Sequence, residues 1–343
     1  MVILITILIF GVLILIHELG HYLFARLFDV AINEFAVGMG PKLFSRVSKK
    51  TGIRYSLRLI PFGGFVSMEG EDGESEDSRA FCNKATWKRI IITVAGALMN
   101  LLLGVILMTA YVSTYEAYGT TVIADVEKSV LAEKAQVGDE IVEIAGHNVY
   151  TVNDVIYEVY RCGVEPIDVT VLRDGKEIVL RDVQFPVTNE GGVAAGSVDF
   201  RVYGREKTFL ETMRQSFAQT RLSCKMVYES LWDLITGRYG MEAVSGPIGT
   251  GEVIGEAVEA DRETGGHSLV YLCAIITINL GLFNLLPIPA LDGGRLFFQL
   301  IELVRGKPIN PKYEGYIHAA GMVLLLLLMV IITFKDIVKL FIE

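Results

Sequence analysis

His17-Glu18-Leu19-Gly20-His21 breaks an apolar run that extends from Met1 towards Phe28. Two histidines at i and i+4 fall one helical turn apart on the same face, where they can share one Zn2+, and the glutamate between them can serve as general base. Residues 2–16, just ahead of this motif, contain nothing more polar than Thr6. Ionisable groups at membrane depth are costly and mark functional sites. The pattern predicts a zinc site carried on a helix inside a bilayer.

Working outward, 52% of the 343 residues are hydrophobic, so a length that suggests about two domains must include membrane-embedded chain. Windows free of Asp, Glu, Lys and Arg cover residues 1–16 (continued by the HELGH helix), 90–115, 268–291 and 315–334. Each is near the roughly 20 residues that cross the hydrocarbon core. Four transmembrane helices are expected, at 1–28, 88–115, 267–294 and 315–336. The first is not read as a cleaved signal peptide: it lacks a basic leading region and a small-residue cleavage site, and cleavage would discard HELGH.

Lys42, Arg46, Lys49, Lys50, Arg54, Arg58, Arg79, Lys84, Lys88 and Arg89 lie between the first two helices, and Arg295, Arg305, Lys307 and Lys312 between the last two. The positive-inside rule makes both loops, 29–87 and 295–314, cytoplasmic. The termini and the long middle segment then face outside, and the expected setting is a cell membrane, with no nucleic-acid partner. Cys82, Cys162, Cys224 and Cys273 show no CxxC spacing, which predicts neither a disulfide framework nor a thiolate zinc site.

The middle segment changes character. Short β-branched runs at 121–126, 140–145, 167–172 and 177–180, a helical spacing at 153–160 and the hairpin signal Asp174-Gly175 predict a small α+β domain over residues 116–185. Its stretch from Ser129 to Gly146, a helix followed by Gly138-Asp139-Glu140-Ile141 and a strand ending in Ala145-Gly146, resembles the PDZ pattern. That resemblance implies a groove beside an exposed strand edge, where peptide strands add by β-augmentation, with Gly119–Thr121 as a candidate carboxylate-binding turn. Residues 186–266 are read as a linker and an amphipathic helix. Leu210, Met213, Phe217, Cys224, Val227, Leu231 and Ile235 recur at three- and four-residue steps, for a helix lying on a membrane or on the protein. Ser245-Gly246-Pro247-Ile248-Gly249 breaks the chain before the third span.

Two histidines leave zinc short of a third protein ligand. The candidate is Asp292, in the run Asn284-Leu285-Leu286-Pro287-Ile288-Pro289-Ala290-Leu291-Asp292-Gly293-Gly294. Pro287 and Pro289 break the helix, which at membrane depth is tolerated only beside protein or a wet cavity. Between the first two spans, Gly38-Met39-Gly40 and the alternating run from Arg54 to Val66 predict strands with tight turns.

Together, HExxH in the first span, the Gly-x-Gly loop, the PDZ-like insertion, Ser-Gly-Pro-Ile-Gly and N-x-x-P-x-P-x-L-D-G-G resemble the site-2 protease family, in its bacterial RseP/RasP-type branch. The resemblance implies a multi-pass α-helical membrane protein with four transmembrane helices, a re-entrant β element and an inserted α+β PDZ-like domain. It implies one Zn2+ per chain held by His17, His21 and Asp292, with Glu18 activating water. Asn284, Pro287, Pro289, Gly38 and Gly40 are the implied substrate-binding positions. The implied substrates are transmembrane segments of single-pass proteins, anti-sigma factors and signal-peptide remnants, cut near the cytoplasmic side of the lipid bilayer. The chain departs from relatives with tandem PDZ domains in having one. Two other readings stay open at this point: a catalytically silent PDZ-bearing membrane scaffold, and a membrane-tethered metalloprotease acting on soluble proteins.

Overall fold

A computed structural model describes residues 2–71, 73–127, 129–190, 193–237, 246–307 and 309–342; Ser245 of the Ser-Gly-Pro-Ile-Gly motif lies outside them. The chain divides into two units, residues 1–107 with 224–343, and residues 108–223.

The first unit is built on helices. Four of them, α1 (Val2–Leu27), α2 (Thr86–Val112), α6 (Ser268–Leu285) and α8 (Pro311–Ile342), have the length and apolar composition to cross a membrane. Many of their leucines and isoleucines are exposed (Ile3 76% and Leu324 68%), while His17, Gly20 and His21 of α1 are buried. Small residues let α1 and α2 approach closely: a Cβ on Gly20 would sit 2.4 Å from the Ala95 carbonyl oxygen.

The third span is shorter than its hydropathy window. It ends at Leu285 because Leu286, held extended ahead of Pro287, cannot continue the helix. Asp292 then opens α7 (Asp292–Arg305), a helix where the sequence pattern predicts a loop. The segment read as a linker before the third span holds another helix, α5 (Pro247–Thr264), with proline in its first turn. Asp336 Oδ2 accepts from the Gly246 and Gly249 amides at 3.0 and 3.1 Å, and so caps α5 with a carboxylate from α8.

Between α1 and α2 the strands β1 (Ile32–Val47) and β2 (Arg54–Met68) each bend back, so that each contributes two arms to one sheet. Glu34–Val37 faces Gly64–Ser67 on one side and Arg54–Leu57 on the other, and Arg54–Leu57 in turn faces Phe44–Val47. Gly38, Gly40 and Gly63 make the bends at φ of 84°, 81° and 88°. Met39, Leu43, Phe44, Leu59 and Ile60, at the bent end, are exposed.

The second unit carries the sheet β10-β3-β4-β6-β7, with β5 (His147–Asn148) paired to β4. Its strands are β3 (Ala117–Asp125), β4 (Glu140–Ile144), β6 (Ile167–Arg173), β7 (Lys176–Val183) and β10 (Arg201–Glu206); β8 (Val187–Glu190) and β9 (Val193–Gly196) form a separate hairpin. Ile123, Ile141, Val155, Val169 and Phe185 fill the core beneath α3 (Val152–Cys162). Thr151 and Asp154 form a capping box that starts α3. Asp174 and Gly175, both at positive φ, make the two-residue turn between β6 and β7. Arg173 grips Asp139 with two hydrogen bonds of 2.7 and 2.8 Å and holds its carboxyl below the ordinary range.

One expectation for this unit needs correction, and one strand was not foreseen: β10, from the segment read as a linker, pairs along β3. Gly119 sits within β3 opposite Gly204, not in a turn. The signal for β10 is weak because its side chains are mostly exposed and do not alternate.

Helix α4 (Phe209–Ile235) continues from β10. Its buried face includes Thr212, Ser216, Thr220 and Ser223, whose hydroxyls bond back to carbonyls one turn earlier. Phe209, Leu210, Phe217, Trp232 and Ile235 are exposed.

Candidate active site

The HELGH turn of α1 and the first residue of α7 meet. His17 Nε2 and His21 Nε2 lie 3.0 and 3.2 Å from Asp292 Oδ2, and 3.2 Å from each other. A tetrahedral ion with bonds of about 2.0–2.1 Å requires donor separations of roughly 3.3–3.4 Å. Asp292 Oδ2 is buried and accepts no hydrogen bond although both ring nitrogens are in reach. Three potential ligand atoms this close together, two imidazole nitrogens and a carboxylate oxygen, fit a divalent cation. The donor set of two imidazoles and a carboxylate suits zinc and leaves a fourth position for water or substrate.

The other ring nitrogens are held as metal-bound histidines require. His21 Nδ1 is 2.8 Å from the Ile92 carbonyl oxygen, which can only accept, so Nε2 is left with its lone pair. His17 Nδ1 is 3.4 Å from the Asn100 amide. Asn100 is fully buried and its Oδ1 makes no other hydrogen bond, so turning the amide over lets Oδ1 accept from His17 Nδ1–H. Above both rings sits Gly96: a Cβ there would lie 2.4 Å from His21 Nε2 and 2.8 Å from His17 Nε2. Only bare backbone fits.

Asp292 owes its position to the Pro-Ala-Leu-Asp-Gly-Gly turn and to α7. A Cβ on Gly293 or Gly294 would overlap the Leu286 or Ile288 carbonyl oxygen, at 2.0 and 2.5 Å. Ala290, at φ 77°, donates its amide hydrogen to His318 Nδ1 at 3.0 Å, and Gly321 lets α8 pack on Pro289. Polar contacts fasten α7 to α2: Gln299 Nε2 donates to Thr93 Oγ1 at 3.0 Å, and Glu302 pairs with Arg89. Arg295 pairs with Glu71.

Glu18 faces the sheet. Its Oε2 accepts from the Val66 amide at 3.0 Å, which places the carboxylate beside the outer arm of β2. The remaining sequence-derived positions take other places. Gly38 and Gly40 form the bend in β1, where a Cβ on Gly38 would be 2.5 Å from the Ile60 carbonyl oxygen. Asn284 turns its amide back on the Leu280 carbonyl of α6, at 3.0 Å. Pro287 is exposed and Pro289 packs under Gly321. The sequence reading missed Gly96, Asn100, Gln299 and Glu302. A signal existed for two of them: Asn100 is the one amide in the window 90–115, and Ala95-Gly96-Ala97 is its run of small residues.

The chain matches the model of Peptidase family M50 over residues 5–328. It is 35% identical to a Clostridium perfringens protein whose name carries the words zinc metalloprotease, over 98% of this chain and 99% of that one. It is 30% identical to the zinc metalloprotease RasP of Geobacillus kaustophilus, over 98% and 97%. It is also 30% identical to the regulator of sigma-W protease RasP of Bacillus subtilis, over 98% of both chains. With a zinc-type donor set in its helices and a family match along nearly its whole length, the chain belongs to Peptidase family M50, the site-2 proteases, which are zinc metalloproteases.

Proposed function

We propose that this chain is an intramembrane endopeptidase that cuts transmembrane segments of single-pass membrane proteins. The observation that carries the reading is the convergence of His17 and His21, in the span-length apolar helix α1, with Asp292, which opens α7 just after the span-length helix α6. At 1.5 Å per residue, His17 and His21 lie about 22 and 28 Å along α1, within or at the edge of a hydrocarbon core about 30 Å thick. The basic residues of 29–87 and 295–314 support a site near the cytoplasmic face, with residues 116–185 as a PDZ-like domain on the other side.

In this reading His17, His21 and Asp292 hold zinc, which when bound supplies Lewis acidity and lowers the pKa of a water molecule. Glu18 takes the proton from the attacking water and delivers it to the leaving amine. A helical peptide bond is shielded and must be extended before attack. The bent sheet between α1 and α2 serves as the re-entrant element: its outer arm offers a strand edge beside Glu18, to which an unwound substrate can add. The exposed apolar face of α4 suits the lipid interface. The sigma-W regulator among the relatives suggests anti-sigma factors as substrates, with signal-peptide remnants as a second class.

The test uses purified full-length protein and a helical single-pass substrate in detergent. Glu18→Gln keeps its zinc and loses about 10²–10⁴-fold in cleavage rate, whereas His21→Ala loses both zinc and activity. Cleavage retained in Glu18→Gln overturns the proposal and leaves a scaffold.

A further inference from the structure

Among the described residues, two groups of three metal-binding side chains lie close enough to share an ion. The second group stands apart from HELGH, in the unit of residues 108–223, and consists of His147, Glu158 and Cys162. Spacing in the sequence gives no hint of it, because the cysteine has no CxxC partner. The fold assembles it. Glu158 and Cys162 stand at i and i+4 on α3 and share a face, as the two histidines of α1 do. His147 arrives from β5, which a tight turn with Ala145 and Gly146 at positive φ folds back on β4.

The local geometry repeats the signature of the first site. His147 Nδ1 is 3.1 Å from Glu158 Oε2, yet this ring nitrogen makes no hydrogen bond. The two groups are in ion-pair contact, and Cys162 Sγ lies close to both. All three donor atoms lie within 4.8 Å of one another. Bonds of about 2.0 Å to nitrogen and oxygen and 2.3 Å to sulfur require separations of roughly 3.3–3.7 Å, which small side-chain rotations reach. Glu158 is 1% exposed, so its carboxylate lies out of bulk water. The imidazole is 41% exposed, although the Nδ1 that faces Glu158 is buried.

We infer that His147, Glu158 and Cys162 form a second divalent-metal site. Its mixed nitrogen, oxygen and sulfur donors suit zinc. Binding deprotonates the Cys162 thiol, and the proton passes to solvent. The ion ties the β4–β5 hairpin to the carboxyl-terminal half of α3, and so clips the second unit together. This role is separate from peptide hydrolysis.

The experiment uses metal-stripped full-length protein reconstituted with Co2+, desalted, and read by elemental analysis and by absorption. The wild type holds two equivalents per chain and shows a thiolate-to-cobalt charge-transfer band. Cys162→Ser and His147→Gln each fall to one equivalent and lose the band. His21→Ala also falls to one equivalent but keeps the band, since the HELGH site contains no thiolate; this separates failure of the new site from failure of the catalytic one. A wild-type content of one equivalent with no thiolate band overturns the inference. So does a second equivalent that survives both Cys162→Ser and His147→Gln.

Discussion

The two units of this chain differ in where most of their large apolar side chains face. In residues 108–223 the sheet and α3 enclose an apolar cluster, with Ile123, Val155, Val169 and Val171 sealed from the surface and the buried carboxylates Asp139, Asp154 and Glu158 outside that cluster. In the helical unit the apolar side chains of α1 and α8 point out, while His17, His21, Asn100, Thr277 and Gln299 are buried. The same rule governs both once the surroundings differ. Water drives isoleucine inward; lipid gives leucine no reason to hide, and helices then associate through small residues and polar contacts. The helical unit can therefore place a metal-binding cluster where an ordinary core would place methyl groups.

The sharpest break of this contrast is a single methyl. Gly96→Ala introduces a carbon into the space over both imidazoles, and we expect zinc content and cleavage to fall as far as in His21→Ala, measured by elemental analysis and turnover. The same change at an exposed position of either unit leaves both intact. Next comes a charge on the outward face of each unit. Leu324→Arg on α8 costs about 2.5–3.5 kcal/mol if that face meets lipid at mid-membrane, whereas Val179→Arg on the exposed side of β7 stays within about 0.5 kcal/mol. Insertion efficiency and unfolding of the two variants read the difference; equal costs would erase the contrast. A smaller effect follows from Asn100→Ala, which removes the partner of His17 Nδ1. Zinc affinity drops about 10–100-fold, seen as faster loss to a chelator at unchanged secondary structure.

The smallest effect concerns acid. Asp139, held below the ordinary carboxyl range by Arg173, contributes stability that is fully present above its unfolded pKa of about 3.9 and disappears as pH falls through its folded value. Hydrogen exchange in residues 108–223 of the intact protein should show Asp139→Asn less protected than wild type at neutral pH. The two converge as the solution becomes strongly acidic.

What could be read from the sequence was what local chemistry writes down. HELGH needs only helical spacing, the spans need only hydropathy, and Asp174-Gly175 needs only turn geometry. What could not be read depends on partners distant in the chain. Helix α7 mixes charges with apolar residues, and its Glu302 and Gln299 make sense only against Arg89 and Thr93. Strand β10 carries no alternation because nearly all its side chains, on both faces, are exposed. Gly38, Gly40 and Gly63 announce turns, yet nothing local says that two strands will double back into four arms. Gly96 is conspicuous only after both imidazoles are placed beneath it.

The pin that steadies the turn before Asp292 comes from the last helix, through His318 and Gly321. Chains are made from the amino terminus onward, so His17 and His21 emerge well before His318 and Gly321, which support their carboxylate. A half-made copy lacks the clamp that fixes its third donor. If the chain cuts membrane segments as proposed, its site becomes complete only after those of its own segments that precede α8 have been made.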